Sequence, residues 1–146
     1  MNTSDYAYVG FWKRALAMII DTVILMLLIA PLLTLFYGRS YWSSDSTEIH
    51  GFLDVFLTII LPIIATIMFW IYRQATPGKM IVGARIVDVS TGSPPSNGQL
   101  VGRYFGYIIS TLPFVLGFIW IGIDKRKQGF HDKLSGTAVV EKSKIE

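Results

Sequence analysis

The sequence predicts an all-α membrane protein with two full transmembrane helices, a third apolar segment and a small cytoplasmic β-hairpin-like element. Three observations carry that expectation. Of the 146 residues, 52% are hydrophobic and only 16% charged, with a mean hydropathy of +0.50, too apolar for an ordinary soluble domain. Three apolar stretches, at about 15–36, 52–72 and 104–123, reach the roughly 20 residues that a bilayer-spanning helix needs. Finally, nearly all lysines and arginines fall in segments that two crossings would leave on one side of the membrane. Residues 1–146 therefore read as a single membrane domain, with a loop over 73–103 and an interfacial segment over 124–146. The absence of cysteine excludes disulfides, thiolate metal sites and cysteine nucleophiles. A net charge of +3 in so apolar a chain points to loops facing an anionic leaflet, not to nucleic acid.

The first stretch opens "WKRALAMIIDTVILMLLIAPLL", residues 12–33, with Lys13 and Arg14 at its front and Asp21 inside it. A cleaved signal peptide is the competing reading, but the run is too long, holds a carboxylate and has no small-x-small site after it. Pro31 is expected to kink or end this helix. In the polar connection over 37–51, Tyr37, Tyr41 and Trp42 suit the headgroup region. The second stretch carries Asp54 at its entry, expected to be a solvated end residue, Pro62 in the middle, and Trp70, Tyr72 and Arg73 at its exit. Trp12, Trp42, Trp70 and Trp120 read as interfacial anchors.

The chain then becomes polar. "TPGK" at 76–79 lacks the glycine spacing of a phosphate-binding loop and reads as a turn, with Lys79 near the anionic surface. "KMIVGARIVDV" at 79–89 predicts an extramembrane strand, paired with "GTAVV" at 136–140. Ser96, with Gln99 three positions on, predicts a capping box that opens a new helix.

The third stretch holds no charge and could cross once. Lys125, Arg126, Lys127, Lys133, Lys142 and Lys144 all follow it, however, whereas Arg39 alone lies between the first two stretches. A single crossing would export those six basic residues and part the two predicted strands. Charge placement favours a re-entrant hairpin that breaks near "STLPFVLG", around Pro113 and Gly117, over a single crossing. Such a hairpin has to be sheltered by protein, because lipid cannot satisfy its broken backbone.

Asp21 follows Arg14 by seven residues, which places both on nearly one helix face about 10 Å apart along the axis. A carboxylate near the helix centre costs about 2.5 to 3.5 kcal/mol on insertion scales, so it demands a partner. Asp124, just past the third stretch, would meet Arg14 if the spans pack with their cytoplasmic ends together. Arg14, Asp21 and Asp124 are thus candidates for one polar cluster, either structural or able to bind a proton or cation. The alternative for Asp124 is that it merely offsets Lys125, Arg126 and Lys127. "GFHDKLSGT" at 129–137 offers no spacing for three metal ligands. It reads as a short interfacial helix, with Phe130 and Leu134 toward lipid or protein and Lys133 toward headgroups.

Together these residues resemble the RDD family of small membrane proteins, named for one arginine and two aspartates. The likeness rests on "FWKRALAMIIDTVIL", "QATPGKMIVGARIVD" and "DKRKQGFHDKLSGTAVV", and it covers most of the chain. Carried over by position, it implies that Arg14 is the named arginine and Asp21 the first aspartate. The second would be Asp124, with Asp132 as the alternate. The resemblance further implies a membrane module. Some members are regarded as sodium/proton antiporters, and others are fused to or work with unrelated partners.

Two functions follow as expectations. One is transport or binding of a proton or small cation by the Arg14, Asp21 and Asp124 cluster. For so small a chain this would require a homo-oligomer, with Gly106, Gly117 and Gly122 as close-approach points. The other is a non-transporting assembly or accessory module whose charges are structural and whose basic cytoplasmic face binds anionic lipid or a partner membrane protein. Neither involves an enzyme activity or a cofactor. Both place the chain in a bacterial inner membrane, with N- and C-termini cytoplasmic.

Overall fold

The computed structural model describes residues 6–43, 48–111 and 116–142. Its elements run β1 (Tyr6–Tyr8), α1 (Phe11–Tyr37), α2 (Phe52–Arg73), α3 (Pro77–Ile81), β2 (Ala84–Asp88), α4 (Asn97–Thr111), α5 (Leu116–Ile123), α6 (Phe130–Ser135) and β3 (Thr137–Lys142). Two of the helices, α1 and α2, are long and apolar enough to cross a bilayer. Most of their surface is exposed apolar side chain, as on Leu16, Ile19, Leu27 and Leu35 of α1, which is how a helix solvated by acyl chains looks.

Pro31 neither ends α1 nor stops its last turns: the helix continues six residues beyond it. A proline forfeits one backbone hydrogen bond, and the largely apolar run on both sides keeps the helical state the better one in an apolar medium. In α2 the corresponding stress is visible. The helix is α-helical over Phe52–Val55, widens to a π-turn over Phe56–Ile60, and resumes over Leu61–Arg73 with Pro62 at its start. The wide turn gives room where the proline ring would crowd the preceding carbonyls.

The extramembrane layer is a three-stranded antiparallel sheet in the order β1, β3, β2, larger than the expected hairpin-like element. The predicted pairing holds, with Ala84 opposite Glu141, Ile86 opposite Val139 and Asp88 opposite Thr137. The predicted strand over 79–89 is only half strand, however. Residues through Ile81 form α3 instead, because Thr76 caps the turn through its hydroxyl and Pro77 is preorganised for the first helical position. Tyr6–Tyr8 supplies the unforeseen third strand and leaves β3 central. From Thr137 to Val140, β3 is buried on both faces, as a central strand between covered faces must be. One face packs Val9, Ala84, Ile86 and Val139 onto Trp70 and Leu100. Trp70 is therefore a core residue, 1% exposed, and not an interfacial anchor, whereas Trp12, Trp42 and Trp120 are exposed.

The predicted capping box is present. Ser96 Oγ accepts from the Gln99 amide at 3.3 Å, and Gln99 Oε1 accepts from the Ser96 amide at 2.8 Å. It opens α4 at Asn97, seven residues before the third apolar stretch begins. That stretch is divided between α4 and α5, and the break expected around Pro113 falls in residues 112–115, outside the described residues. Two of the three glycines expected to meet a second copy are used within the chain. A Cβ on Gly106 would strike His131 of α6, and one on Gly117 would strike Ser110 of α4. Gly122 faces open space.

Candidate polar site at the sheet end of the helices

Asp132 sits on the first turn of α6, where its Oδ2 accepts from the Gly129 amide at 2.9 Å. Two guanidiniums converge on it. Arg14 Nη1, from the first turns of α1, donates to Oδ2 at 2.5 Å, and Arg103 Nη1, from α4, donates to Oδ1. Arg103 also donates to Thr137 Oγ1 at 2.6 Å. Arg14 spends its other donors on the carbonyls of Val9, at 3.1 Å, and Lys127, at 2.6 Å. One carboxylate thus ties α1, α4, α6 and the start of β3. Asp132 and Arg103 have no exposed surface at all. Burial alone would push the Asp132 carboxyl up, but the Arg103 and Arg14 guanidiniums outweigh it and hold the group well below the usual carboxylate range.

Asp21 has different company from the guanidinium expected beside it. Its Oδ2 accepts from Thr76 Oγ1 at 2.5 Å and its Oδ1 from the Gly78 amide at 2.7 Å. The "TPG" turn is thereby clamped onto the middle of α1. Glycine is needed at 78 because a Cβ there would collide with the carbonyl of Ala17. This contact explains the carboxylate inside an apolar helix: two neutral donors, the hydroxyl of Thr76 that caps α3 and the amide of Gly78 within it, satisfy it where water is scarce.

Asp124 does not reach Arg14. Its Oδ1 pairs with Lys133 Nζ at 2.6 Å, and its Oδ2 accepts from the amides of Arg126 and Gln128 at 3.1 and 3.2 Å. The hydrogen bond from Lys133 holds its carboxyl below the ordinary range. It is Asp132, the alternate, that the fold brings to Arg14. Asp54 is not solvated either: it is 6% exposed and accepts from Tyr41 Oη at 2.7 Å and the His50 amide at 3.0 Å, at the other end of the helices.

Sequence reasoning passed over Arg103 and the packing role of His131, and it placed Lys79 at the surface. Lys79 is buried, 8% exposed, with its ammonium over the Trp70 ring at 5.5 Å and away from the surface position expected for it. Burial pushes its amine down from the ordinary lysine value. Among the described residues no carboxylate lies within ion-pair distance of it. His131 stacks on Tyr107 at 4.1 Å, and burial pushes its imidazole down to about 3, so it is neutral. Leu134 is exposed and Lys133 half-exposed, as an interfacial α6 requires, while His131 and Asp132 point inward. The available signal for Arg103 was its position as the last charge before an uncharged run of twenty residues.

Above this floor lies a cavity of about 500 Å³, bounded below by Arg14, Lys79, Thr76 and His131 and rising past Asp21 between α1 and α2. Its upper walls are Met18, Leu25 and Leu28 of α1 and Ala65 and Phe69 of α2, with Tyr104, Ile108 and Phe118 of α4 and α5 on the remaining side.

A family model described as the RDD family matches residues 8–136, a span that includes every residue of this floor. The chain is 31% identical to the uncharacterized protein YxaI of Bacillus subtilis (strain 168), over 91% of its own length and 97% of that protein. It is 28% identical to the uncharacterized membrane protein YteJ of the same strain, over 92% of its length and 82% of the relative. With the uncharacterized protein YckC of that strain it shares 30% identity, over 92% and 85%. No solved structure matches the chain.

Proposed function

This chain belongs to the RDD family, and from that premise we propose that it is a non-transporting assembly or accessory module of the bacterial inner membrane. In this reading α1 and α2 cross the bilayer, α4 and α5 enter and return on the cytoplasmic side, and both termini are cytoplasmic. The re-entrant course is supported by the sheet. β1 precedes the first span, β2 follows the second and β3 follows α5, yet all three pair edge to edge, which strands on opposite sides of a bilayer could not do. The eight residues of α5 make about 12 Å of helix, well short of the roughly 30 Å hydrocarbon core. The lipid-facing sides of α1 and α2 are left for a partner membrane protein or a second copy. No catalytic step is assigned to the module.

The observation that carries this reading is the engagement of the carboxylates. Both oxygens of Asp132 are taken by guanidiniums and both oxygens of Asp21 by Thr76 and Gly78. A cation would have to displace those donors and approach Arg14, Arg103 and Lys79 at once, which like-charge repulsion opposes. The second reading is exchange of a proton or sodium ion, and it is favoured by one observation: Asp21 lines the cavity between the two spans. Reconstituted into liposomes, the wild-type protein is expected to give no sodium-driven pH change above empty vesicles. A wild-type flux that Asp21→Asn abolishes in a folded protein would instead establish transport.

A further inference from the structure

The cavity has the shape and charge profile of a lipid. Its lining runs along α1 from Arg14 to Leu28, fourteen residues or about 21 Å of helix, and its character changes along the way. The sheet end is cationic, whereas the far end is aliphatic and aromatic apart from Thr66. Met18, Leu28 and Phe69 on its walls are also exposed on the membrane-facing surface, so the slot opens sideways between α1 and α2 to whatever surrounds them.

The charges at the floor do not balance. Arg14, Arg103 and Lys79 face Asp132 and Asp21, three cations against two carboxylates. Asp132 is consumed by the two arginines, and Asp21 turns its oxygens to Thr76 and Gly78. Lys79 is left over. More than nine-tenths buried, it lines the slot with no carboxylate at ion-pair distance among the described residues; its ammonium lies over the Trp70 ring, and Asp132 and Tyr107 favour its charged form only partly against burial. A buried ammonium without a counter-ion is costly, and an anion seated beside it would relieve that cost.

We propose that this slot holds one anionic phospholipid drawn sideways from the cytoplasmic leaflet, its phosphate on the Lys79 ammonium beside Arg14 and one acyl chain between α1 and α2. A zwitterionic lipid would bring a second cation to a floor already in positive excess, so acidic headgroups are selected. A soluble phosphate compound would leave the long apolar part of the slot empty. The proposal rests on the accessory-module reading for its bilayer placement and adds the ligand that the module holds. The flux assay decides the first and lipid competition decides the second, so either can fail alone.

The test is native mass spectrometry of the full-length protein released from nanodiscs with equal amounts of phosphatidylglycerol and phosphatidylcholine of identical chains. Wild type is expected to retain phosphatidylglycerol over phosphatidylcholine by about fivefold. Lys79→Met should bring the ratio to one. Ala65→Phe, which fills the slot while leaving the cation in place, should abolish retention of either lipid. The exposed pair Lys125→Gln and Arg126→Gln should keep the wild-type preference. Equal retention by wild type overturns the proposal, as does an undiminished preference in Lys79→Met or Ala65→Phe. A preference lost with the exposed pair would assign it to the basic surface, and displacement of the lipid by glycerol 3-phosphate would assign it to the headgroup alone; either result also overturns the slot.

Discussion

Asp124 and Asp132 stand eight residues apart in one basic segment and differ in everything that sets the worth of a carboxylate. Asp132 is fully buried between two guanidiniums, so removing its charge strands both of them: Asp132→Asn is expected to cost about 3 to 5 kcal/mol in denaturation of the detergent-solubilised protein. Asp124 pairs with a half-exposed lysine at the surface, and Asp124→Asn should cost less than about 1 kcal/mol in the same measurement. Equal costs would contradict the assignment of Asp132 as the tie. His131 supplies a pH dependence. Its imidazole titrates near 6.5 in an unfolded chain and near 3 in the fold, so as pH falls below about 6.5 the unfolded state takes up the proton first. Stability is therefore lost between about pH 6.5 and 3, by at most about 1.4 kcal/mol per pH unit, and depression of the Asp132 carboxyl adds to the loss below about pH 4. The thermal midpoint should fall from pH 7.5 to pH 5, and His131→Phe, which keeps the stack on Tyr107 but cannot titrate, should flatten that fall. The sequence placed both aspartates in the right segment but put Asp124 ahead of Asp132, and the fold brings Asp132 to Arg14 instead. Which one turns inward is set by the cap of α6, and neither Arg14 nor Arg103 is near that cap along the chain.

Among the elements, α3 was the least legible, because five residues carry too little periodicity to be read as a helix against a β-prone background. Its place is decided by docking. Asp21 holds the amide of Gly78, and Gly78 lets the α3 backbone lie against the carbonyl of Ala17. Gly78→Ala puts a methyl group into that carbonyl and is expected to cost about 1 to 3 kcal/mol or more, seen as a lowered thermal midpoint. Gly122→Ala, where a Cβ meets open space, should leave the midpoint unchanged within about 0.5 kcal/mol. Elements with strictly local signals were read correctly. The Ser96 and Gln99 pair opens α4, and the β-prone runs at 79–89 and 136–140 hold the paired strands β2 and β3. Local signals failed where a residue's value depends on a distant partner, as with Asp54, which the Tyr41 hydroxyl and the His50 amide withdraw from water.

For the whole molecule, the re-entrant reading makes one sharp prediction. A reporter fused after Glu146 should be active on the cytoplasmic side, and an extracytoplasmic signal would require the chain after α5 to have crossed the bilayer, against the pairing of β3 with β1 and β2. By itself the sequence determined that this is a helical membrane protein with two long apolar helices, where its basic residues gather, and that a strand within 79–89 meets one at 136–140. Those are sums over neighbouring residues, since hydrophobic length and charge count need no knowledge of the fold. The tertiary structure decided which charges meet: Arg14 with Asp132, Asp21 with Thr76 and Gly78, and Lys79 with no carboxylate among the described residues. Pairing energies fall off steeply with separation and burial, and separation in space between α1, α3 and α6 is fixed only when the helices and sheet have packed.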